Sequence, residues 1–306
     1  MENIFLNEKT SYDIDSRIAK ILRDVGSPEP PLRLEIVRDL LELDKAFYSV
    51  TDGGALQETV HRLKLAGKQV IKRPALLWDV VKKLDLKALW IPDRKRILLD
   101  SDLPAVKQRW GEAHEIGHSL LPWHEMVMHG DMKRTLSLTC QQQLEVEANY
   151  AAGRMLFLQE AFVERLFSTP LSFDRVKALG REFGNTITST LWRTVESQEQ
   201  PTFGLVSRHP QRESSPDKED VRYFLRSSVF ASQFPHITGA AILKRLATFC
   251  HGNRGPIGSS EVIIPDIDRV QHVFFVETFF NSHDALTLGL YRGVRAPVVA
   301  VPGSLG

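Results

Sequence analysis

The segment Leu103 to Leu121 constrains the fold most, because its apolar residues recur at helical spacing and it carries His114 and His118 four residues apart. On a helix, such residues lie one above the other on the same face, so both imidazoles can reach one ion. Glu115 sits about a quarter turn away, where it can reach a metal-bound water without ligating the metal. Trp110, Ala113 and Gly117 lie near the two histidines around the wheel, so this face turns inward. Two histidines on an inward face need partners, since unpaired polar groups are costly to bury. The competing reading is an accidental pattern on a solvated face, which the 10 histidines of this chain would produce in roughly a few per cent of cases.

A catalytic zinc site needs a third protein ligand and an open position. A second long helix, expected from about Cys140 to Leu166, contains Leu144-Glu-Val-Glu-Ala-Asn-Tyr-Ala-Ala-Gly-Arg-Met-Leu-Phe157. Glu145 shares its stripe with Ala148, Asn149, Ala152 and Leu156, whereas Glu147 shares one with Tyr150, Ala151 and Arg154. The first stripe is smaller and more apolar, so it can pack close against the motif helix. Glu145 is therefore the expected ligand, with Glu147 in reserve; an ordinary exposed charge is the bland reading of either. His124, His129 and Asp131, in the polar stretch from Pro122 to Arg134, are read as loop residues, with a substitute or supporting role at the metal as the alternative.

Arg109-Trp-Gly-Glu-Ala-His-Glu-Ile-Gly-His-Ser-Leu-Leu121, followed by the helix from Glu145 to Phe157, resembles the ImmA/IrrE family of zinc metallopeptidases. The likeness covers about residues 88 to 160, with two motifs in the family's order. It implies Zn2+ held by His114, His118 and Glu145, with Glu115 catalytic. It also implies a cytoplasmic protein of a bacterium or mobile element that cleaves a transcriptional repressor, often in response to stress or DNA damage. The chain departs from the pattern in two places. Phe157 and Leu158 replace a terminal Met-Pro that serves as a helix exit, and the family's phenylalanine falls at Ala151 with Tyr150 beside it, which implies altered packing next to the site.

The expectation is thus an α+β chain: a mainly helical, zincin-like metallopeptidase domain with a small sheet over residues 1–197, then a mixed α/β regulatory or sensory domain over 198–306. The expected activity is hydrolysis of a specific protein substrate, a repressor or antitoxin-like regulator. A regulatory protein using the metal-site domain as a binding platform is the alternative, against which the intact Glu115 argues, because a platform has no need of a base. A zinc amidohydrolase is a third reading. Tyr150 is one candidate donor to an oxyanion, and sequence does not select it over others.

Composition removes other classes. Thirty-nine basic and 38 acidic residues leave a net charge of +1, which gives no electrostatic reason to expect nucleic acid or membrane as the main partner. No stretch approaches a membrane span. Cys140 and Cys250 stand outside any CxxC pattern, which argues against a disulfide framework or thiolate zinc and fits a reducing, cytoplasmic compartment.

Along the chain, residues 12–50 read as two helices hinged at Ser27-Pro-Glu-Pro-Pro31. Thr51-Asp-Gly-Gly54 reads as a turn before a helix to Lys68, and a short helix follows from Pro74 to near Leu84. Ala88 to Asp100 reads as a hairpin; its Arg94-Lys-Arg96 tip can protect an edge strand that can also receive an extended peptide. Ser172–Phe183 and Ile187–Glu196 form a helical pair around Gly184-Asn185. Arg193 is the single basic residue of its second helix, so helix packing is preferred over DNA reading. A boundary is expected near Ser197 to Pro201. Beyond it, strands are expected at 203–206, 222–226, 261–264, 272–280 and 286–291, with a helix at 238–249 and a buried strand at Val273–Phe280.

Overall fold

The computed structural model describes residues 2–48, 88–91, 95–128, 138–213 and 219–295. The turn and helices expected between Thr51 and Leu84 lie outside the described residues, as do Arg94, His129 and Asp131.

The chain divides into two compact units: Leu6–Arg165 with Gly180–Thr186, and Met1–Phe5 with Leu166–Leu179 and Ile187–Gly306. This differs from the boundary expected near Ser197. The helix Ile187–Glu196 packs on the C-terminal sheet, where a Cβ at Gly204 would lie 3.2 Å from Val195 and 3.4 Å from Leu191. Apolar contact of this kind outweighs the loop-like composition that follows Glu196.

In the unit around the motif, α1 (Glu8–Asp24) starts at Asn7, whose side chain accepts from the Thr10 N–H, and buries Ile14, Ile18 and Ile21 along one stripe. It ends where Gly26 takes a left-handed φ of 87°, donating to the Arg23 carbonyl at 2.9 Å. α2 (Leu34–Leu41) is shorter than expected. Glu42 takes φ 56°, and Asp44–Tyr48 forms strand β1, where helical spacing had been read to residue 50. Pairing decides this. β1 runs parallel to β3 (Arg96–Asp100), which runs antiparallel to β2 (Ala88–Ile91), giving the order β1-β3-β2 among the described strands. β2 and β3 are the expected hairpin. Its described basic residues are engaged by neighbours: Arg96 meets Asp44 at 2.6 Å and Lys95 meets Glu42 at 2.7 Å.

Next come α3 (Ala105–Leu120), α4 (Pro122–Met128), α5 (Leu138–Leu156) and α6 (Glu160–Phe167). The single helix expected to reach Leu166 is interrupted. Leu158 and Gln159 adopt φ 53° and 48°, and the Gln159 N–H closes the end of α5 by donating to the Arg154 carbonyl at 3.0 Å. The cause is aromatic packing. Phe157 and Phe162 are both fully buried with centroids 4.7 Å apart and both meet Phe183. On a straight helix, side chains five residues apart would point about 140° away from each other.

In the other unit, β4 (Thr202–Ser207), β5 (Val221–Arg226), β6 (Gly255–Pro265), β7 (Gln271–Phe280) and β8 (Ala285–Val294) form an antiparallel sheet of order β5-β4-β8-β7-β6. All five strands match expected segments. One face carries Phe203, Leu205, Phe224 and Phe274 against Phe230 of α9 (Ser228–Gln233) and Ile242 and Leu246 of α10 (Gly239–Leu246). The other carries Val206, Leu225, Leu286 and Leu288 against Phe173 and Val176 of α7 (Phe173–Glu182) and Leu191 and Val195 of α8 (Ile187–Glu196). Covered on both faces, β4 is buried at all six positions. β7, the expected buried strand, alternates between fully buried positions, Phe274, Val276, Thr278 and Phe280, and half-buried ones. α9 was not expected; Ser227 caps it by accepting from the Phe230 N–H. No helix among the described residues is long and apolar enough to cross a membrane.

Candidate metal centre

The centre is set by how closely α3 and α5 approach. Ala113, Ala148, Ala151 and Ala152 are fully buried. A Cβ at Gly117 would lie 2.9 Å from the Ala148 carbonyl oxygen and 3.3 Å from the Ala151 Cβ, so only glycine lets the helices meet here. On its other side α3 is anchored by buried Glu112, which accepts from Arg38 of α2 at 2.6 Å and Lys45 of β1 at 3.1 Å.

This seam brings three side chains together. His114 Nε2 and His118 Nε2 are 3.2 Å apart; Glu145 Oε2 lies 3.2 Å from His114 Nε2, and Glu145 Oε1 lies 3.6 Å from His118 Nε2. Tetrahedral zinc with bonds of about 2.0–2.1 Å to nitrogen and oxygen places its donors about 3.3 Å apart, so the triangle has the dimensions of one face of such a site. It is the one such cluster of His, Cys, Asp and Glu among the described residues. The three residues are those expected.

The electrostatics distinguish the members. Hydrogen bonding to His114, with the His118 imidazole close by, holds the Glu145 carboxyl well below the usual carboxylate range. Burial lowers His118, keeping it in the neutral form that a metal requires. Burial also acts to lower His114, but the hydrogen bond to Glu145 and the charges of Glu115 and Glu145 outweigh it and the net shift is upward. The two imidazoles diverge because Glu115 bears on His114, whereas the further neighbours of His118 are the other two imidazoles. Glu115 is buried and accepts from the Trp90 backbone N–H on β2; burial pushes its carboxyl up to about 7, against the opposing influence of His114.

Polar contacts behind the triangle were not all legible. Asn149 Oδ1 lies 3.1 Å from His114 Nδ1. The signal was its place one turn after Glu145 on the same stripe. His124 is a helical residue of α4 and fully buried, correcting the loop reading. Pro122 suits a first turn, and His124 N–H donates to the Leu121 carbonyl at 2.8 Å. Its Nδ1 lies 2.9 Å from His118 Nδ1, and its Nε2 lies 2.9 Å from Glu147 Oε2. Glu147, the reserve ligand, therefore faces away from the triangle, where it also accepts from Trp123 Nε1 at 2.6 Å and Gln143 Nε2 at 2.8 Å. Tyr150 donates to Asp15 of α1 at 3.1 Å. Arg193 is buried on α8.

The class these features belong to is the zincin-like metallopeptidase domain: residues 66–192 match the family model described as the IrrE N-terminal-like domain, Peptidase_M78. Over that segment the chain is similar to the ImmA/IrrE family. A solved Mycobacterium tuberculosis transcriptional regulator is 14% identical over 92% of this chain and 88% of that one, with a TM-score of 0.49. No curated protein matches the chain.

Proposed function

We propose that this protein is a zinc-dependent endopeptidase of narrow specificity that cleaves a protein substrate, a transcriptional repressor or antitoxin-like regulator, in the cytoplasm. The observation that carries the reading is the pairing of a zinc-sized donor triangle with a buried carboxyl group, Glu115, adjacent to it and outside it. The donor set of two imidazoles and one carboxylate suits Zn2+, which when bound supplies Lewis acidity and lowers the pKa of coordinated solvent.

The chain's own groups do the rest. His114, His118 and Glu145 would hold the ion. Glu115, with its carboxyl poised near neutrality, takes the proton of the attacking water and delivers it to the departing amide nitrogen. The Trp90 N–H steadies that carboxyl and places β2 beside it. β2 ends the sheet formed by the described strands, so an extended substrate added along it would pass the base, which favours a peptide over a small amide. The family likeness of residues 66–192 supports a regulator as the substrate, and the buried free thiol of Cys250 fits a reducing compartment.

The test is cleavage of a regulator encoded beside this protein. Zinc-loaded protein is expected to cut it, and Glu115→Gln to bind zinc while leaving it intact. Cleavage by Glu115→Gln at the normal rate refutes the base assignment. A Glu115→Gln strain with unchanged regulation supports the binding-platform reading instead.

A further inference from the structure

We propose that His124 and Glu147 form a relay that fixes the proton of His118 on Nδ1 and so holds its Nε2 as a metal donor; the inference rests on the metal-centre reading above. Neither residue would touch the metal; both are positioning residues.

The argument follows hydrogen-bond polarity from the far end. Trp123 Nε1–H can only donate, and Glu147 Oε2 receives it at 2.6 Å. Glu147 Oε1 receives Gln143 Nε2 at 2.8 Å, so both oxygens face donors and the group serves as a carboxylate acceptor. His124 Nε2, 2.9 Å from Oε2, must then carry its proton. A neutral imidazole protonated on Nε2 has a bare Nδ1, and His124 Nδ1 lies 2.9 Å from His118 Nδ1. Two bare nitrogens cannot make that contact, so the His118 proton sits on Nδ1. Its Nε2 lone pair is left facing His114 Nε2 at 3.2 Å and Glu145 Oε1 at 3.6 Å.

Burial makes the relay consequential. His124 has no exposed surface, His118 is 3% exposed and Glu147 is 5% exposed, so water does not offer alternative partners. Partners behind a ligating histidine set its tautomer and ring angle, and their removal costs about 10–100-fold in metal affinity. The rival account is that the trio only secures α4 to α5. It predicts that loss of any member changes stability while the zinc affinity of the folded protein stays constant.

The experiment uses the full-length protein stripped of metal and titrated with zinc against a chromophoric chelator, with melting curves establishing that each variant is folded. His124→Leu, which offers no acceptor, is expected to bind zinc about 10–100-fold more weakly. His124→Asn, whose amide oxygen can replace Nδ1, is expected to recover most of that loss. Glu147→Gln allows an amide N–H to face His124 and reverse the relay, and is expected to weaken zinc binding also. Independently of any variant, long-range 15N–1H NMR of the zinc-loaded wild type is expected to show His124 protonated on Nε2 and His118 on Nδ1. Wild-type affinity in folded His124→Leu overturns the relay, as does equal weakening by Leu and Asn, or the opposite His124 tautomer. If the wild type binds no zinc, or His118→Ala binds it equally well, the metal centre itself is wrong, which is a different result from a failed relay on an intact centre.

Discussion

The same substitution at two glycines, Gly117→Ala and Gly153→Ala, is expected to have opposite effects. At Gly117 the new methyl would meet the Ala148 carbonyl oxygen at 2.9 Å and the Ala151 Cβ at 3.3 Å. The closest obstacle is backbone, which no rotamer change relieves, so α3 and α5 must separate. Overpacking of this sort costs about 1–3 kcal/mol, while alanine returns about 1 kcal/mol of helix propensity. The balance is a net loss of up to about 2 kcal/mol. At Gly153, within α5, nothing lies within 4 Å of the added carbon. There only the propensity gain applies, and Gly153→Ala should be more stable by roughly 0.5–1 kcal/mol. Separation of the helices also moves Glu145 away from His114 and His118, so Gly117→Ala should weaken zinc binding and Gly153→Ala should not. Urea denaturation of chelator-treated protein measures the first pair of effects and zinc competition the second. A Gly117→Ala protein as stable and as tight-binding as wild type would refute the idea that this seam sets the ligand spacing.

Other expectations follow from buried groups. Glu115 holds its proton more tightly folded than unfolded, so its contribution is intact below about 4.5 and lost as pH rises through about 7, an interval corresponding to about 3 kcal/mol. Glu115→Gln should therefore match wild type in chelator near pH 4.5 and exceed it by up to about 3 kcal/mol above pH 8; a difference that does not grow with pH contradicts this. Glu112→Ala strands Arg38 and Lys45 at the back of α3 and should cost about 1–3 kcal/mol, read by the urea midpoint. Gly289 stands opposite Phe203 in register, and a Cβ there would overlap that ring, so Gly289→Ala should lose about 1–3 kcal/mol. Equal midpoints for Gly289→Ala and wild type would rule that contact out as limiting.

The parts of the site legible in the sequence are those fixed by short-range geometry. His114 and His118 share a face because of helical period alone, and Glu145 could be separated from Glu147 because its stripe is built from smaller residues. What escaped depends on partners distant in sequence. Asp44–Tyr48 carries helical spacing but becomes a strand because β3, about fifty residues on, offers its backbone. Phe157 ends α5 because Phe183 completes an aromatic cluster. His124 sits in a segment of polar composition and is buried only because Glu147 and His118 satisfy both of its nitrogens. α8 precedes the residues that looked like a linker, yet its Leu191 and Val195 match a strip of sheet whose faces could be assigned only once the strand order was known.

The small residues that permit the centre also make it a weak place in the fold. Gly117, Ala113, Ala148, Ala151 and Ala152 bury little apolar area, and at about 25 cal/mol per Å² such a seam contributes less than a leucine-lined one of equal length. Around it lie Glu115, His118, His124 and Glu147, each of which lost water on burial. The unit draws its cohesion from elsewhere: Ile14 and Ile18 of α1, the Phe157–Phe162–Phe183 cluster, and Ile97 and Leu99 of β3. A bound ion adds stability as the logarithm of its concentration over Kd, and it adds it at the seam, because its three donors come from the two helices that meet there. Chelation should therefore raise amide exchange first along the facing turns of α3 and α5, with α1 and β3 protected longest. Uniform loss of protection across those elements would mean that the centre and the core open as a single cooperative piece.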